Sequence, residues 1–261
     1  MISRIVATGN LSNDINEVLK ELGGIKAFVN SGEKIFIKPN FNTSDPFPAS
    51  SDLDFIRAVL TEVSTQKPSQ IIIGESPTFF GNSKRYFVQK NPRTLEQEFT
   101  NLRVLYLPEE EWVKKDIPRA KYIKSASIPK ILDEVDKIIY LPCLKTHAWA
   151  QFTGTLKLSV GIIKPIERIR LHAAHLQEKI AEINLLIKPD LIIMDGRKCF
   201  IDKGPSKGTV REPNIILASS NRVELDIEAI KIIQTFSGNT LAGLDPKHLP
   251  QIKRALELGI S

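Results

Sequence analysis

Short runs rich in Ile, Val and Leu recur along the chain, with helical patterns between them. Seven of these runs are predicted to be β-strands: residues 4–8, 34–40, 70–76, 103–108, 137–142, 191–196 and 214–219. Several are almost continuously apolar, as in KIIYLP and LIIMDG, which is typical of parallel strands covered on both faces. The sequence therefore predicts an α/β fold, with a mainly parallel sheet and helices on both faces.

Three segments between these runs have apolar residues at helical spacing. They are residues 50–66, which open with Ser and Asp as N-cap candidates, residues 168–187 and residues 222–236. Residues 77–130 are less regular and are predicted to be an insertion or edge lobe that covers one edge of the sheet. We expect a single α/β domain over residues 1–261.

Charge and cysteine content exclude several classes of protein. The formal net charge is +6, but no run of five or more Lys or Arg occurs, so nucleic acid is an unlikely partner. The two cysteines form no CxxC motif, which excludes a zinc ribbon or an iron–sulfur cluster bound by this chain alone. There is no signal-peptide pattern and no apolar run of membrane-spanning length, so we expect a cytoplasmic protein without a membrane partner.

Polar or turn-forming residues follow four of the predicted strands. In open α/β sheets, ligands bind beyond the carboxyl ends of the strands, so these residues are expected to converge on one crevice. The alternative is that strand-to-helix loops are polar whatever their function. The residues are Lys38, Asn40, Glu75, Ser76, Lys145, His147 and Asp195.

The segment LPCLKTHAWAQFTGTLKLSVGIIKP, residues 141–165, holds three lysines and one histidine and no acidic residue. Thr153 and Gly154 are predicted to turn the chain and cap a short helix that carries Lys157. Backbone N–H groups at such a helix start, together with Lys157, favour an anion site. The alternative is an ordinary capped helix with Lys157 exposed.

His172 and His175 stand three residues apart in the predicted helix 168–187, on neighbouring positions of one face. His172 continues the apolar row of that helix, so we expect a neutral imidazole suited to act as a base or a ligand. The candidate ligands for a divalent metal are His147, His172, His175 and Asp195. The alternative is a hydrogen-bonded helix start with no function.

Two further features are less specific. Gly204 and Gly208 lie in a compact basic loop and are expected to let the backbone approach either a ligand or the preceding strand. Asp226, near the start of the helix 222–236, is interpreted as a carboxylate that complements the dipole of its own helix.

The ordered set of motifs resembles domain-of-unknown-function family 362. The resemblance covers residues 30 to 236 approximately, which is then the core of the domain, and implies a fold and a site. It rests on KPN at 38–40, GES at 74–76, LPCLKTH at 141–147, TGTLK with Gly161, the His172 region, KPDLIIMDG at 188–196, GPSKG at 204–208, and Asp226.

Some members of that family carry a ferredoxin-like iron–sulfur module, which implies an iron–sulfur or redox protein as a candidate partner. This chain lacks the cysteine motifs of that module. It also has Cys143 where the common family form has a charged residue, and Leu158 where that form has Asn. The second difference removes a donor that would help to hold a ligand.

The function favoured by these residues is an enzyme that acts on a small anionic substrate, a carboxylate or a phosphate ester. The predicted catalytic residues are His147, His172, Lys145 and Asp195. The predicted substrate-binding residues are Lys38, Asn40, Glu75, Ser76, Thr153, Gly154, Lys157, Gly204 and Gly208. Clustered cations repel one another unless an anion joins them, which is the physical basis of this prediction. The alternative is a non-catalytic accessory protein that docks onto an iron–sulfur or redox partner.

Overall fold

A computed structural model describes residues 1–78 and 81–261. The strands are β1 (Ile2–Val6), β2 (Lys34–Lys38), β3 (Gln70–Glu75), β4 (Leu102–Tyr106), β5 (Trp112–Asp116), β6 (Ser125–Pro129), β7 (Lys137–Tyr140), β8 (Cys143–His147), β9 (Gln151–Thr153), β10 (Leu191–Phe200), β11 (Val210–Arg211) and β12 (Ile215–Ser219). The α-helices are α1 (Leu11–Lys20), α2 (Leu53–Ser64), α3 (Ser83–Lys90), α4 (Thr155–Leu158), α5 (Arg168–Ala173), α6 (Leu176–Ile183), α7 (Arg222–Gln234) and α8 (Pro250–Glu257).

The main sheet has the strand order β1-β12-β10-β7-β2-β3-β4. The pairs from β10 to β4 along this order are parallel, whereas β12 and β1 are antiparallel additions at one edge. All seven predicted strands exist, and the prediction of an α/β fold with a mainly parallel sheet is confirmed. The antiparallel edge was not foreseen, since apolar runs do not encode strand direction.

Both faces of the sheet are buried, as the continuous apolar runs predicted. Alternate residues of a strand point to opposite faces. On β2, Phe36 belongs to one apolar cluster, and Ile35 and Ile37 belong to the other. On β3, Ile72 lies with Phe36, while Ile71 and Ile73 lie with the second cluster. This two-sided burial makes the sheet a rigid platform for side chains at its carboxyl edge.

The predicted helix over 168–187 is wrong as a single element. It divides into α5 and α6 at His175, whose φ of 52° lies in the left-handed region. The break changes the direction of the chain between His172 and His175, so the two imidazoles do not share one helix face. Helices α2 and α7 lie within the predicted segments.

The region predicted as an irregular insertion, residues 77–130, contains three kinds of structure. Helix α3 lies beside the main sheet, β4 is the edge strand of that sheet, and β5 with β6 forms a separate two-stranded antiparallel sheet. Phe79 and Phe80, which fall in this predicted region, lie outside the described residues. That this region is a separate lobe stays a prediction.

Strands β8 and β9 position the functional segment. Strand β8 follows β7 directly, pairs in parallel with the second half of β10, and turns back as β9. Lys145 pairs with Thr153 and His147 with Gln151 in this hairpin. The hairpin therefore brings Lys145 and His147 to the carboxyl edge of β2 and β3, where Lys38 and Glu75 lie.

Candidate functional site

A cavity of about 530 Å³ lies at the carboxyl edge of the sheet. Its volume is within the range of small-molecule sites. Nine of the residues predicted for the site contribute to its wall. These nine are Lys38, Asn40, Glu75, Ser76, Lys145, His147, Thr153, Lys157 and His172.

Lys38 and Glu75 form a buried ion pair in the wall of the cavity. The Lys38 Nζ donates to Glu75 Oε1 at 2.5 Å and to the Pro39 carbonyl at 2.8 Å. Glu75 also accepts from the backbone N–H groups of Phe41 and Ser76, at 2.7 and 2.8 Å. Burial lowers the pKa of Lys38, and the Glu75 carboxylate opposes that effect. The Glu75 carboxylate thus balances the charge of Lys38, whereas the sequence had predicted a cation without a counter-ion.

Gly161 allows the segment after α4 to approach this ion pair. A Cβ at this position would lie 2.8 Å from Lys38 Nζ and 3.2 Å from Glu75 Oε1. Such a distance from a buried, doubly hydrogen-bonded pair forces a displacement. Gly161 therefore serves the close packing of this wall.

Lys145 and Lys157 lie in the same cavity without an ion-pair partner among residues 1–78 and 81–261. The Lys145 Nζ is buried and donates to the Ala49 carbonyl. Lys157 is partly buried and contacts the cavity. Burial, together with the charges of Lys145 and Arg168, lowers the pKa of Lys157 to about 7. Burial also lowers the pKa of Lys145.

Arg168 is a cation of the cavity wall that sequence reasoning missed. Its guanidinium is buried, and it donates to the carbonyl groups of Ile163, Ser76, Pro77 and Gly161 at 2.8 to 2.9 Å. Burial lowers the pKa of Arg168 to about 10. The signal that was available is its position four residues before His172, which places both on the cavity side of α5.

His147 has a tautomer fixed by the β8–β9 turn. Its Nδ1 accepts from the backbone N–H groups of Trp149 and Ala150, at 3.1 and 3.2 Å. The proton of the neutral ring is therefore on Nε2, so the ring can offer a ligand only an N–H donor. Burial, Lys157 and Lys145 lower the pKa of His147 to about 2. The ring is neutral at physiological pH and acts as a donor, not as a base.

His172 has the opposite tautomer. Its Nδ1 lies 2.7 Å from the carbonyl oxygen of Arg168, which can only accept, so Nδ1 carries the proton and Nε2 is basic in the neutral ring. Burial lowers the pKa of His172, and the hydrogen bond to Arg168 opposes that effect. The exposed indole of Trp149 packs edge-on against the ring at 5.9 Å. The two imidazoles of the cavity thus have opposite tautomers.

Asp195 does not contribute to the cavity wall, contrary to its predicted place in the crevice. Strand β10 continues to Phe200, so Asp195 lies inside the strand and not at its end. Arg197, two residues further along the strand, donates from Nε and Nη2 to the two carboxylate oxygens at 2.9 and 2.7 Å. Arg197 also bonds Asp52 at 2.8 Å. Asp195 therefore belongs to a separate ion-pair network.

The start of α4 is not open to an anion, contrary to the prediction for Thr153 and Gly154. The Asp226 carboxylate accepts from the backbone N–H groups of Thr155 and Leu156 at 2.6 and 3.0 Å. A Cβ on Gly154 would meet Asp226 Oδ1 at 2.4 Å, so this glycine admits the carboxylate and does not line the cavity. Burial raises the pKa of Asp226 to about 6. Asp226 therefore caps α4. The interpretation that it complements the dipole of its own helix is wrong.

Gly204 and Gly208 serve backbone packing and do not line the cavity. A Cβ on Gly204 would lie 2.0 Å from the carbonyl oxygen of Thr146 on β8, and one on Gly208 would lie 2.1 Å from that of Asp202. Gly204 thus lets the loop approach strand β8, whereas Gly208 approaches the Asp202 carbonyl within the same loop. Pro205 and Ser206 of the same loop do reach the cavity.

The metal candidates do not come together. His147 and His172 line the cavity, while His175 and Asp195 do not. His175 stacks on Tyr122 with 4.4 Å between ring centroids. Residues 1–78 and 81–261 contain no group of three or more His, Cys, Asp or Glu side chains arranged to hold a metal ion. For His147 to bind a metal through Nε2, the proton would move to Nδ1 and the hydrogen bonds from Trp149 and Ala150 would be lost.

Both cysteines are buried thiols with no disulfide between them. Cys143 lies 3.8 Å from the Ser51 hydroxyl, and burial raises its pKa to about 11. A buried thiol with a raised pKa is a poor nucleophile, so Cys143 is a packing residue of β8.

Two similarities to individual proteins accompany this geometry. The chain is 25% identical over 270 residues to the "Thylakoid-associated protein sll1697" of Synechocystis sp. (strain ATCC 27184 / PCC 6803 / Kazusa), with 99% of this chain and 78% of that protein covered. The structure of the lactate racemase apoprotein from Thermoanaerobacterium thermosaccharolyticum matches with a TM-score of 0.44 and 14% identity. The match covers 89% of this chain and 57% of the length of that chain.

No helix within the described ranges is both long enough and apolar enough to cross a membrane. The cytoplasmic localisation stays a prediction, since the printed name of the Synechocystis relative associates that protein with thylakoids.

The family model described as "Domain of unknown function (DUF362)" matches residues 35–231, which is most of the chain and agrees with the resemblance predicted from its motifs. The chain belongs to this family.

Proposed function

We propose that the cavity binds a small organic anion, a carboxylate or a phosphate ester, and that the protein is an enzyme that moves a proton on it. The charges of the cavity wall carry the proposal. Four cationic side chains, Lys38, Lys145, Lys157 and Arg168, share the wall with one carboxylate, Glu75. Glu75 is already bound to Lys38.

An anion in the cavity would relieve an electrostatic penalty that the buried cations carry. Buried like charges destabilise one another, and an anion between them reverses the sign of each interaction. Burial is the main cause of the lowered pKa values of Lys145, Lys157 and Arg168, and for Lys157 the charges of Lys145 and Arg168 act in the same direction. Binding is therefore expected to be favourable for an anion and unfavourable for a cation of the same size.

The two imidazoles supply complementary proton chemistry. His172 Nε2 is the base that accepts a proton from the bound anion, and His147 Nε2–H donates a hydrogen bond to an oxygen on which charge develops. Positioned acid–base groups of this kind contribute about 10²- to 10⁴-fold in rate. His147 is thus reassigned from the predicted proton carrier to a donor that stabilises charge.

Thermal unfolding with sulfate and with malonate, at constant ionic strength, tests anion binding. A ligand at 100 times its dissociation constant stabilises by about 2.7 kcal/mol, which raises the unfolding temperature measurably. We expect this rise in the wild type and in Lys253→Met, which removes an exposed lysine of the same charge. We expect it to be lost or strongly reduced in Lys157→Met. An equal rise in Lys157→Met, or no rise in the wild type, would contradict the proposal.

An accessory protein for an iron–sulfur or redox partner remains the alternative. Such docking would use exposed lysines and arginines, because buried cations cannot contact a protein surface. It predicts that Lys157→Met leaves partner binding unchanged and that surface substitutions abolish it, which is the opposite pattern.

A further inference from the structure

We propose that Lys157 is a nucleophile that forms an imine with the carbonyl carbon of a small oxo-carboxylate or an aldehyde that bears an anionic group. This inference rests on the proposed anion site and names the class of substrate and the covalent step at that site. Its first basis is geometric: three lysines line one cavity, and their contacts differ.

Of the three lysines, Lys157 is the one suited to present a lone pair. Lys38 Nζ is held by the Glu75 carboxylate and the Pro39 carbonyl, both of which require an N–H donor. Lys145 Nζ donates to the Ala49 carbonyl. Among the described residues, Lys157 Nζ has no carboxylate or hydrogen-bond acceptor as a partner, so losing its proton leaves no acceptor unsatisfied.

The surroundings favour the neutral amine of Lys157. Burial removes solvent from the ammonium form, and the charges of Lys145 and Arg168 act in the same direction, which brings its pKa to about 7. A lysine desolvated beside another cation is a recognised way to activate an amine for attack on a carbonyl. At pH 7 the neutral fraction is roughly a thousandfold larger than for an exposed lysine.

The remaining donors of the wall suit an acidic group on the substrate. The guanidinium of Arg168 has five N–H donors, four of which bond the carbonyls described above, so one Nη2–H has no acceptor among residues 1–78 and 81–261. Within the described ranges, Lys145 uses one of its three N–H groups. The buried hydroxyl of Ser76 also lines the cavity, and it has no hydrogen-bond partner among those ranges. A carboxylate or phosphate held by these groups would place an adjacent carbonyl near Lys157.

The step balances without a further reactant. The Lys157 amine forms an N–C bond to the carbonyl carbon, and the carbonyl π pair moves to oxygen, where the His147 N–H stabilises it. His172 Nε2 takes one proton from the nitrogen and returns it to the oxygen to give the carbinolamine. Loss of the second N–H proton and of the hydroxyl group then yields the imine and one water. Nothing is oxidised or reduced.

Reductive trapping tests the inference. The full-length protein is incubated at pH 7 with pyruvate and cyanoborohydride, which reduces an imine to a stable carboxyethyl-lysine, and the modified lysines are mapped by peptide mass spectrometry. We expect labelling of Lys157 to exceed that of Lys253 by at least about 10-fold, given the difference in neutral fraction. Acetone, a carbonyl compound without charge, responds to the neutral fraction alone, so its preference for Lys157 should be smaller than that of pyruvate, which the anion site also binds.

The outcomes separate the two proposals. Labelling spread evenly over the lysines, while malonate still raises the unfolding temperature, would overturn the imine and leave the anion site standing. Absence of both effects would overturn both. Selective labelling of Lys157 by acetone as strongly as by pyruvate would overturn the assignment of an anionic carbonyl substrate. Lys157→Met, checked for its fold by circular dichroism, should lose the adduct, and an unchanged adduct pattern would assign the reaction to another lysine.

Discussion

The cavity has two kinds of cationic wall, and they differ in how charge is balanced. On one wall, Lys38 and Glu75 form an ion pair that backbone N–H groups complete. On the other wall, Lys145, Lys157 and Arg168 face the same space with carbonyl partners or with none among the described residues. We call the Lys38–Glu75 pair the completed wall. We call Lys145, Lys157 and Arg168, which have no ion-pair partner among the described residues, the incomplete wall, and we propose that an anion completes it.

The presence or absence of a carboxylate partner separates the lysines that support the architecture from those that are candidates for ligand binding. Lys38 is held by a carboxylate and uses two of its three N–H groups within the described residues, so it has less to offer a ligand than Lys145 or Lys157. Cations that lack a carboxylate raise the free energy of the folded chain, so their retention in one cavity calls for a function. On this basis we assign Lys38 to the architecture and propose Lys157 as the functional lysine.

The largest loss of stability is expected when the Lys38–Glu75 ion pair of the completed wall is broken. Glu75→Gln leaves Lys38 as a buried charge without a counter-ion, and the amide cannot accept from all three N–H donors that the carboxylate serves. Breaking a buried pair in this way costs about 3–5 kcal/mol. Urea unfolding measures the loss, with Glu17→Gln on the exposed face of α1 as the control.

The double variant Lys38→Met/Glu75→Gln sharpens this result. It removes the stranded charge, so it should recover a large part of the stability that Glu75→Gln loses. A double variant no more stable than the single one would show that the pair does not act as a unit.

A smaller, pH-dependent change in the free energy of unfolding is expected from Lys157 in the incomplete wall. The pKa of Lys157 is about 7 in the folded chain, and an unfolded lysine has its ordinary, higher value. Between these values the unfolded chain binds more protons, so the free energy of unfolding rises with pH from about 7 to about 10. Over this range the free energy of unfolding should increase by on the order of 2–3 kcal/mol. This is less than the full value of about 1.4 kcal/mol per pH unit because Lys157 is partly exposed and solvent screens its charge.

Lys157→Met isolates this dependence. It should be more stable than the wild type at pH 7, and the pH-dependent gain should be absent from it. Urea unfolding of both proteins at pH 7, 8.5 and 10 gives the difference. Parallel stability curves for the two proteins would mean that the ammonium of Lys157 carries no penalty.

The smallest loss of stability is expected where Gly161 packs against the Lys38–Glu75 pair. In Gly161→Ala the new methyl group meets Lys38 Nζ and Glu75 Oε1, so the pair or the segment after α4 must shift. Overpacking of this kind costs about 1–3 kcal/mol. Introduced into Lys38→Met/Glu75→Gln, the same substitution should cost less because the rigid ion pair is gone. An undiminished cost there would place the strain elsewhere.

Much of the fold follows from local sequence. Continuous apolar runs such as residues 70–73 could be recognised as doubly covered strands because burial on both faces leaves no polar alternation. Strand direction could not be recognised from the sequence. The β8–β9 hairpin could not be recognised either, because its residues lack a strand-like apolar pattern. The break at His175 also has no sequence signal, since it depends on a single left-handed residue and not on Gly or Pro.

Among the residues predicted at strand ends, the position of the strand end decided the outcome. Lys38 and Glu75 are the last residues of β2 and β3 and line the cavity, whereas Asp195 lies within a longer strand and does not. Contacts between distant segments were out of reach. Asp226 capping α4 from 70 residues away, Glu75 pairing with Lys38, and Arg168 binding the carbonyls after β3 all depend on tertiary packing.

Proton uptake on anion binding is the most direct measurement of an anion site at Lys157. Malonate is titrated into the protein by isothermal calorimetry at pH 8, in buffers with different ionisation enthalpies. Malonate has a second carboxylate in the place that the carbonyl of an oxo-carboxylate would take, and this carboxylate stabilises the ammonium form of Lys157. The wild type and Lys253→Met should therefore take up close to one proton on binding, and Lys157→Met markedly less. Binding without proton uptake, or uptake unchanged in Lys157→Met, would contradict the account.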